Sequence, residues 1–240
     1  MTIVNVSGVP SIQKVAACAI PFIIAPTGTM ANNGAITLGT ALPTTYANCY
    51  INLPANAIQA GSSAGWYFCQ MSSATVGTVF NNTYSSGQPT IPSSPTAFTS
   101  TGPGAYTGVT SAQIGPQITV PGGLLGANGV LRISDQWAVN STAGTKTLAL
   151  GFSGTSIKSF TLTTSNGYRS INTLYNRGVQ TAQIGDQFGL TTGGSGVITG
   201  TNEYYAVDFS TAKTFQMTGT LATATDFLVM EAFLLEAIPG

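Results

Sequence analysis

Residues Pro121 to Phe160 read PGGLLGANGVLRISDQWAVNSTAGTKTLALGFSGTSIKSF, and their alternation decides the fold. Leu131, Ile133, Trp137 and Val139 recur at a spacing of two; after a polar turn over Asn140 to Thr145 the period returns in Leu148, Leu150 and Phe152. A period of two places one set of side chains on a single face of an extended strand, so the stretch predicts a β-hairpin with one buried face. Asp135 interrupts the apolar row. Either the row meets water there or the carboxylate finds a partner such as Arg132 or Lys146, and the partner is the expectation, because a buried charge needs one.

Working outward, the rest of this third of the chain repeats the texture. Strands are expected over Phe160 to Thr164, Tyr168 to Tyr175, Val197 to Thr199, Tyr204 to Phe209, Thr214 to Thr220 and Phe227 to Ala237. Asn166-Gly167, Arg177-Gly178, the Thr192 to Gly196 glycine cluster and Ser210 to Lys213 punctuate them as turns. The final FLVMEAFLLEAI also fits a helical stripe, but its β-rich surroundings favour a strand buried on both faces. Strands at this spacing suit a sandwich or jelly roll.

Toward the N-terminus, Asn33-Gly34 predicts a hairpin turn leading into Ala35 to Leu38, since both residues tolerate positive φ. Phe22, Ile23 and Ile24 form an apolar cluster, readable as ordinary core or as an attachment or oligomer seam. Trp66 to Met71 reads as a strand. Asn81 to Tyr106, with Pro89, Pro92, Pro95 and Pro103, is expected to be an extended strap lying on its own or a neighbour's surface, with Tyr84, Ile91, Phe98 and Tyr106 as pegs.

Charge content is 6% of the 240 residues, against about 25% for an ordinary soluble domain. Lys14 is the only charged residue before Arg132, so residues 15–131 carry none. Phosphate recognition needs clustered Lys or Arg, which excludes a nucleic-acid partner. Disorder is excluded by a hydrophobic content of 43%. A net charge of zero with few charges of either sign favours association. The apolar run Val15 to Pro26 follows Lys14 and imitates the hydrophobic part of a signal peptide, though a signal peptide is not the expectation; the run is too short to span a bilayer and is broken by Pro21, so membrane insertion is not expected either.

The chain contains no histidine, which removes Ser-His-Asp and Cys-His nucleophile pairs and imidazole acid-base chemistry. Cys18, Cys49 and Cys69 are odd in number and lack CxxC spacing, so buried free thiols are expected. Gly61-Ser62-Ser63-Ala64-Gly65 matches a nucleophile elbow in wording, but no histidine serves it and a plain β-turn is the expectation. The acids Asp135, Asp186, Glu203, Asp208, Asp226, Glu231 and Glu236 show no spacing that pairs them for glycoside hydrolysis. Asp186, Glu203 and Asp208 lack EF-hand spacing for calcium. No catalytic residue, metal or cofactor is expected.

Three stretches resemble tailed-bacteriophage virion proteins: TMANNGAITLGTALPTTYANCYINLPANAI, then AGWYFCQMSSATVGTVFNNTYSSGQPTIP with GPGAYT, then PGGLLGANGVLRISDQW with NRGVQTAQIG. The resemblance implies a β-structured fibre, spike or surface protein, non-enzymatic and homotrimeric, located in the virion and assembled in the host cytoplasm. The implied partners are the chain itself, other virion proteins of capsid, collar or tail, and a host-surface glycan or protein. Capsid decoration is the alternative within this class, and a carbohydrate-binding or carbohydrate-cleaving tail module lies outside it.

The expected fold class is all-β. Its parts are an attachment and oligomerisation segment (1–45) that includes Phe22, Ile23 and Ile24, a β-hairpin with an extended Pro/Gly-rich region (46–115), and a jelly-roll-like β-sandwich (116–240).

Overall fold

A computed structural model describes residues 12–99, 104–185 and 203–240. The expected strand over Val197 to Thr199, the Thr192 to Gly196 cluster and Asp186 lie outside the described residues. The described chain is all-β, with one short 3₁₀ turn. In chain order the first strands are β1 (Gln13–Cys18), β2 (Phe22–Ile24), β3 (Thr27–Met30), β4 (Ala35–Leu38), β5 (Cys49–Leu53), β6 (Gly65–Met71), β7 (Val76–Tyr84) and β8 (Ala105–Thr107). There follow β9 (Ser111–Val120), β10 (Val130–Val139), β11 (Lys146–Phe152), β12 (Thr155–Leu162), β13 (Gly167–Asn176), β14 (Gln183–Gly185), β15 (Glu203–Tyr205), β16 (Lys213–Leu221) and β17 (Leu228–Ile238).

Two sheets hold these strands. The smaller has the order β12-β11-β16-β9; the larger runs β15-β14-β13-β10-β17-β2-β5-β6-β7-β4-β3-β8, with β1 also paired to β17. The inward rows of both sheets meet in one core that includes Ile114, Leu131, Ile133, Trp137, Leu148, Leu150, Phe152, Phe215, Met217 and Leu235. The sequence alternation is therefore realised as two apolar faces pressed together.

The expected hairpin between the two opening runs is not formed. Strand β10 pairs with β13 and β17, whereas β11 pairs with β12 and β16. The Asn140 to Thr145 turn carries the chain from one sheet to the other. Alternation identifies which face is apolar and leaves the neighbouring strand open, which is why both rows were legible and their pairing was not. The tight turn lies one strand later, at Ser153 (φ 46°) and Gly154 (φ 86°), where two positive-φ residues join β11 to β12.

Strand β17 is central. Val130 to Val139 flank it on one side; β1 and β2 share the other, pairing with its second and first parts respectively. The strand reading of FLVMEAFLLEAI is thus correct, and pairing crosses the expected divisions at 45/46 and 115/116. Between β1 and β9 the chain builds a second core around Ile23, Leu38, Ile51, Leu53, Tyr67, Phe98 and Tyr106, into which Phe227, just before β17, and Val229 of β17 also reach. All three residues of β2 and all five of β5 are buried, because one face of each belongs to the sandwich and the other to the second core.

Smaller expectations fared variously. Asn33 (φ 60°) and Gly34 (φ 74°) turn β3 into β4 as anticipated. The Tyr204 to Phe209 strand is shorter, ending at Tyr205; Val207 is instead held by Gln183, which accepts from its N–H at 2.9 Å and donates to its carbonyl at 3.0 Å. Of the four pegs, Phe98 and Tyr106 are buried and Tyr84 packs on Phe22 and Tyr50, but Ile91 is 55% exposed.

Candidate interaction surface

Phe22, Ile23 and Ile24 offer no accessible surface in the folded chain. Phe22 stacks on Tyr50 and meets Trp66 edge-on, Ile24 lies in the same core, and Ile23 faces the second core. Three consecutive apolar residues are the signature of a strand buried on both faces, and that is their place here.

The other candidates are equally dispersed. Gly61 to Gly65 leads directly into β6, not into a helix, and the Ser63 carbonyl accepts a hydrogen bond from the Tyr67 hydroxyl at 2.6 Å. Cys18, Cys49 and Cys69 are buried free thiols. Among the described residues, no three His, Cys, Asp or Glu side chains converge on a common point. Glu203 pairs with Lys158 at 3.3 Å, Glu236 with Arg132, and Glu231 accepts from the Tyr46 hydroxyl. Asp208 caps a turn by accepting from the Ser210 N–H at 3.0 Å.

Asp135 does lie in the apolar row and is buried, but neither cationic candidate is its partner. Its carboxylate accepts from the Trp137 indole N–H at 2.6 Å and from the Ser170 hydroxyl, which in turn accepts from the Asn172 amide at 2.7 Å. Burial pushes its carboxyl up to about 6, with the Ser170 and Trp137 hydrogen bonds working the other way. Neutral donors on β10 and β13 thus supply what the sequence reading sought from a cation.

Lys146 is fully buried and faces Asp226 at 3.4 Å. Its ammonium donates to the carbonyls of Thr142 (3.2 Å) and Gly144 (2.9 Å), while Asp226 accepts from Thr142 Oγ1 at 2.7 Å and Asn140 Nδ2 at 3.1 Å. Burial works to raise the Asp226 carboxyl, but hydrogen bonds from Thr142, Thr223 and Asn140 and the charge of Lys146 outweigh it and hold the group below its ordinary range. This pair ties the β10-β11 turn to the β16-β17 turn.

The outer face of the larger sheet carries the feature that sequence reading missed. Ladder partners Tyr204, Ile184, Tyr175, Val130 and Ile238 fall in one row across β15, β14, β13, β10 and β17. Directly opposed residues share a face, so the five side chains form a continuous apolar stripe about 19 Å long, at about 4.8 Å per strand. Tyr204 is 63% exposed and Tyr175 40%. Two residues along each strand, Thr173, Arg132, Glu236 and Lys14 form a mainly charged row, followed by Ile171, Ser134, Leu234 and Ala17. The opposite outer face, on the smaller sheet, has only uncharged side chains in two matched rows: Ser111, Thr220, Thr147 and Thr161, then Gln113, Thr218, Ala149 and Ser159. No single segment signals the stripe, because each strand contributes one residue.

No protein-family model and no curated protein matches the chain. Among the described residues, no helix is long and apolar enough to cross a membrane.

Proposed function

We propose that this chain is a non-enzymatic structural protein of a tailed-bacteriophage particle, a homotrimeric fibre or spike component built on a jelly roll. The observation that carries the proposal is the apolar stripe through Tyr175 and Val130 on a chain with zero net charge and almost no charge to keep copies apart. A second copy of the chain is its occupant.

Strand order supports the jelly roll. Eight strands interleave as β1-β17-β10-β13 over β9-β16-β11-β12, with the last two, β16 and β17, each inserted between strands formed earlier in the chain. Such double-sheet windings recur in viral capsid and lectin domains, a fold-level analogy that raises the expectation of a virion role without assigning one. On this description β2 to β8 are an elaboration between the first and second strands of the roll. A particle component persists outside the cell by unfolding slowly, and a chain whose first strand is pinned by its last suits that demand.

Immunogold labelling of intact particles, with a mass measurement on the purified protein, tests the proposal. A trimeric mass with label on tail or fibres is the expected result. Label confined to the shell would reassign the protein to capsid decoration; a monomeric mass with unlabelled particles would overturn the proposal.

A further inference from the structure

A groove of about 640 Å³ runs between the outer end of β7 and the Pro-rich strap that follows it. Asn81, Asn82 and Thr83 form one wall, and Ile91 to Ser94 the other. The strap is fixed in place: Phe80 bridges Ala97, the Asn81 N–H donates to the Thr96 carbonyl at 2.9 Å, and the Tyr50 hydroxyl donates to the Thr90 carbonyl at 2.9 Å. A groove with anchored walls requires little ordering when it is filled.

Its chemistry is narrow. Among the described residues, the side chains of Asn81, Thr83, Ser93 and Ser94 make no internal hydrogen bond and are exposed to the groove. Amides and hydroxyls both donate and accept, which matches a ligand whose own groups do both. Ile91 and Pro92 add apolar surface beside these polar groups, and this is where the one exposed peg of the strap stands. No formal charge occurs anywhere in residues 15–131, so a phosphate, sulfate or carboxylate would find no counter-charge on this part of the chain.

We propose that this groove binds a neutral saccharide, with Asn81, Thr83, Ser93 and Ser94 meeting its hydroxyls and Ile91 with Pro92 meeting the C–H face of a sugar ring. The volume lies within the range of small-ligand sites. This rests on the reading of a particle-surface protein for the source of the sugar, a glycan on the host surface.

The test uses the full chain against immobilised mannan, dextran and chitohexaose, with heparin as the acidic control. Binding to at least one neutral probe, unchanged between low and high salt, is expected. The Asn81→Ala/Thr83→Ala double variant and, separately, Ser93→Trp, which fills the groove from the exposed strap, should each weaken that binding at least tenfold with an unchanged melting temperature. Should the double variant fail to fold, Ser93→Trp alone decides. Binding that survives Ser93→Trp, binding to heparin alone that fades with salt, or no binding to any probe would overturn the groove assignment while leaving the particle role standing. Saccharide binding by a protein that labels no particle would do the reverse.

Discussion

Lys146 and Asp226, 80 positions apart and both withdrawn from solvent, face each other at 3.4 Å across the two turns that close one end of the sandwich. One turn joins β10 to β11 and the other joins β16 to β17, so a single ion pair fastens both crossings between the sheets. Gly144 is part of the same geometry, since a Cβ there would stand 2.2 Å from Asp226 Oδ2.

Removing either partner strands a buried charge. Lys146→Met and Asp226→Asn should each lower stability by about 3 to 5 kcal/mol, whereas the Lys146→Met/Asp226→Asn double variant should cost much less than their sum. Urea denaturation of the three variants measures the coupling. Because the Asp226 carboxyl is held below its ordinary range, its contribution is present above about pH 4 and is lost as pH falls through its folded value. The deficit of Asp226→Asn should therefore shrink in acid.

Asp135 behaves with the opposite sign. Its folded value, about 6, lies above the ordinary 3.8, so the protonated form is the one that folding favours. The stability it contributes is full below about pH 4 and is lost as pH rises through about 6, an effect of about 3 kcal/mol at 1.36 kcal/mol per pH unit. Asp135→Asn should flatten this dependence. Trp137 donates to the carboxylate, so in a Trp66→Phe background its fluorescence should titrate with a midpoint near 6, and a featureless titration would count against the buried carboxylate.

Trp137 is 2% exposed and packs into the sandwich core. Trp137→Ala should cost about 3 to 5 kcal/mol from lost burial and the cavity it leaves. Trp137→Phe keeps most of the ring but removes the indole donor to Asp135; it should cost about 1 to 3 kcal/mol and push the Asp135 carboxyl further up. An unchanged denaturation midpoint in Trp137→Ala would remove this residue from the core.

Tyr175 and Ile171 stand on the outward face of β13, 40% and 48% exposed. Tyr175→Lys with Ile171→Lys should reduce the mass of the purified protein to that of one chain while leaving its melting as a monomer cooperative. Retention of the wild-type mass would place the subunit contact elsewhere.

Much of this was legible beforehand because it is local. The strands over Trp66 to Met71, Tyr168 to Tyr175 and Thr214 to Thr220, the Asn33-Gly34 turn and the buried free cysteines follow from period, turn chemistry and composition, which act within a few residues. The β10-β11 pairing, the partner of Asp135 and the exposure of Phe22 to Ile24 were misjudged or left open, because each depends on residues far away in sequence. The stripe and the groove belong to this second kind. Their residues come from several strands, or from a strand and a strap, and no window of sequence contains them.

The sequence by itself determined that this chain would be a β protein with apolar alternating faces, few charges and no imidazole chemistry, since side-chain period and composition are properties of the chain alone. Only the tertiary structure decided that Leu131 and Leu148 enter one core from opposite sheets, that Ser170 and Trp137 satisfy Asp135, and that Lys146 belongs to Asp226. The physical reason is that a strand's hydrogen-bonding edges are chemically alike wherever they occur. Which edge meets which is set by the packing of all the faces together, and a buried charge then takes whatever donor that packing brings within 3 to 4 Å.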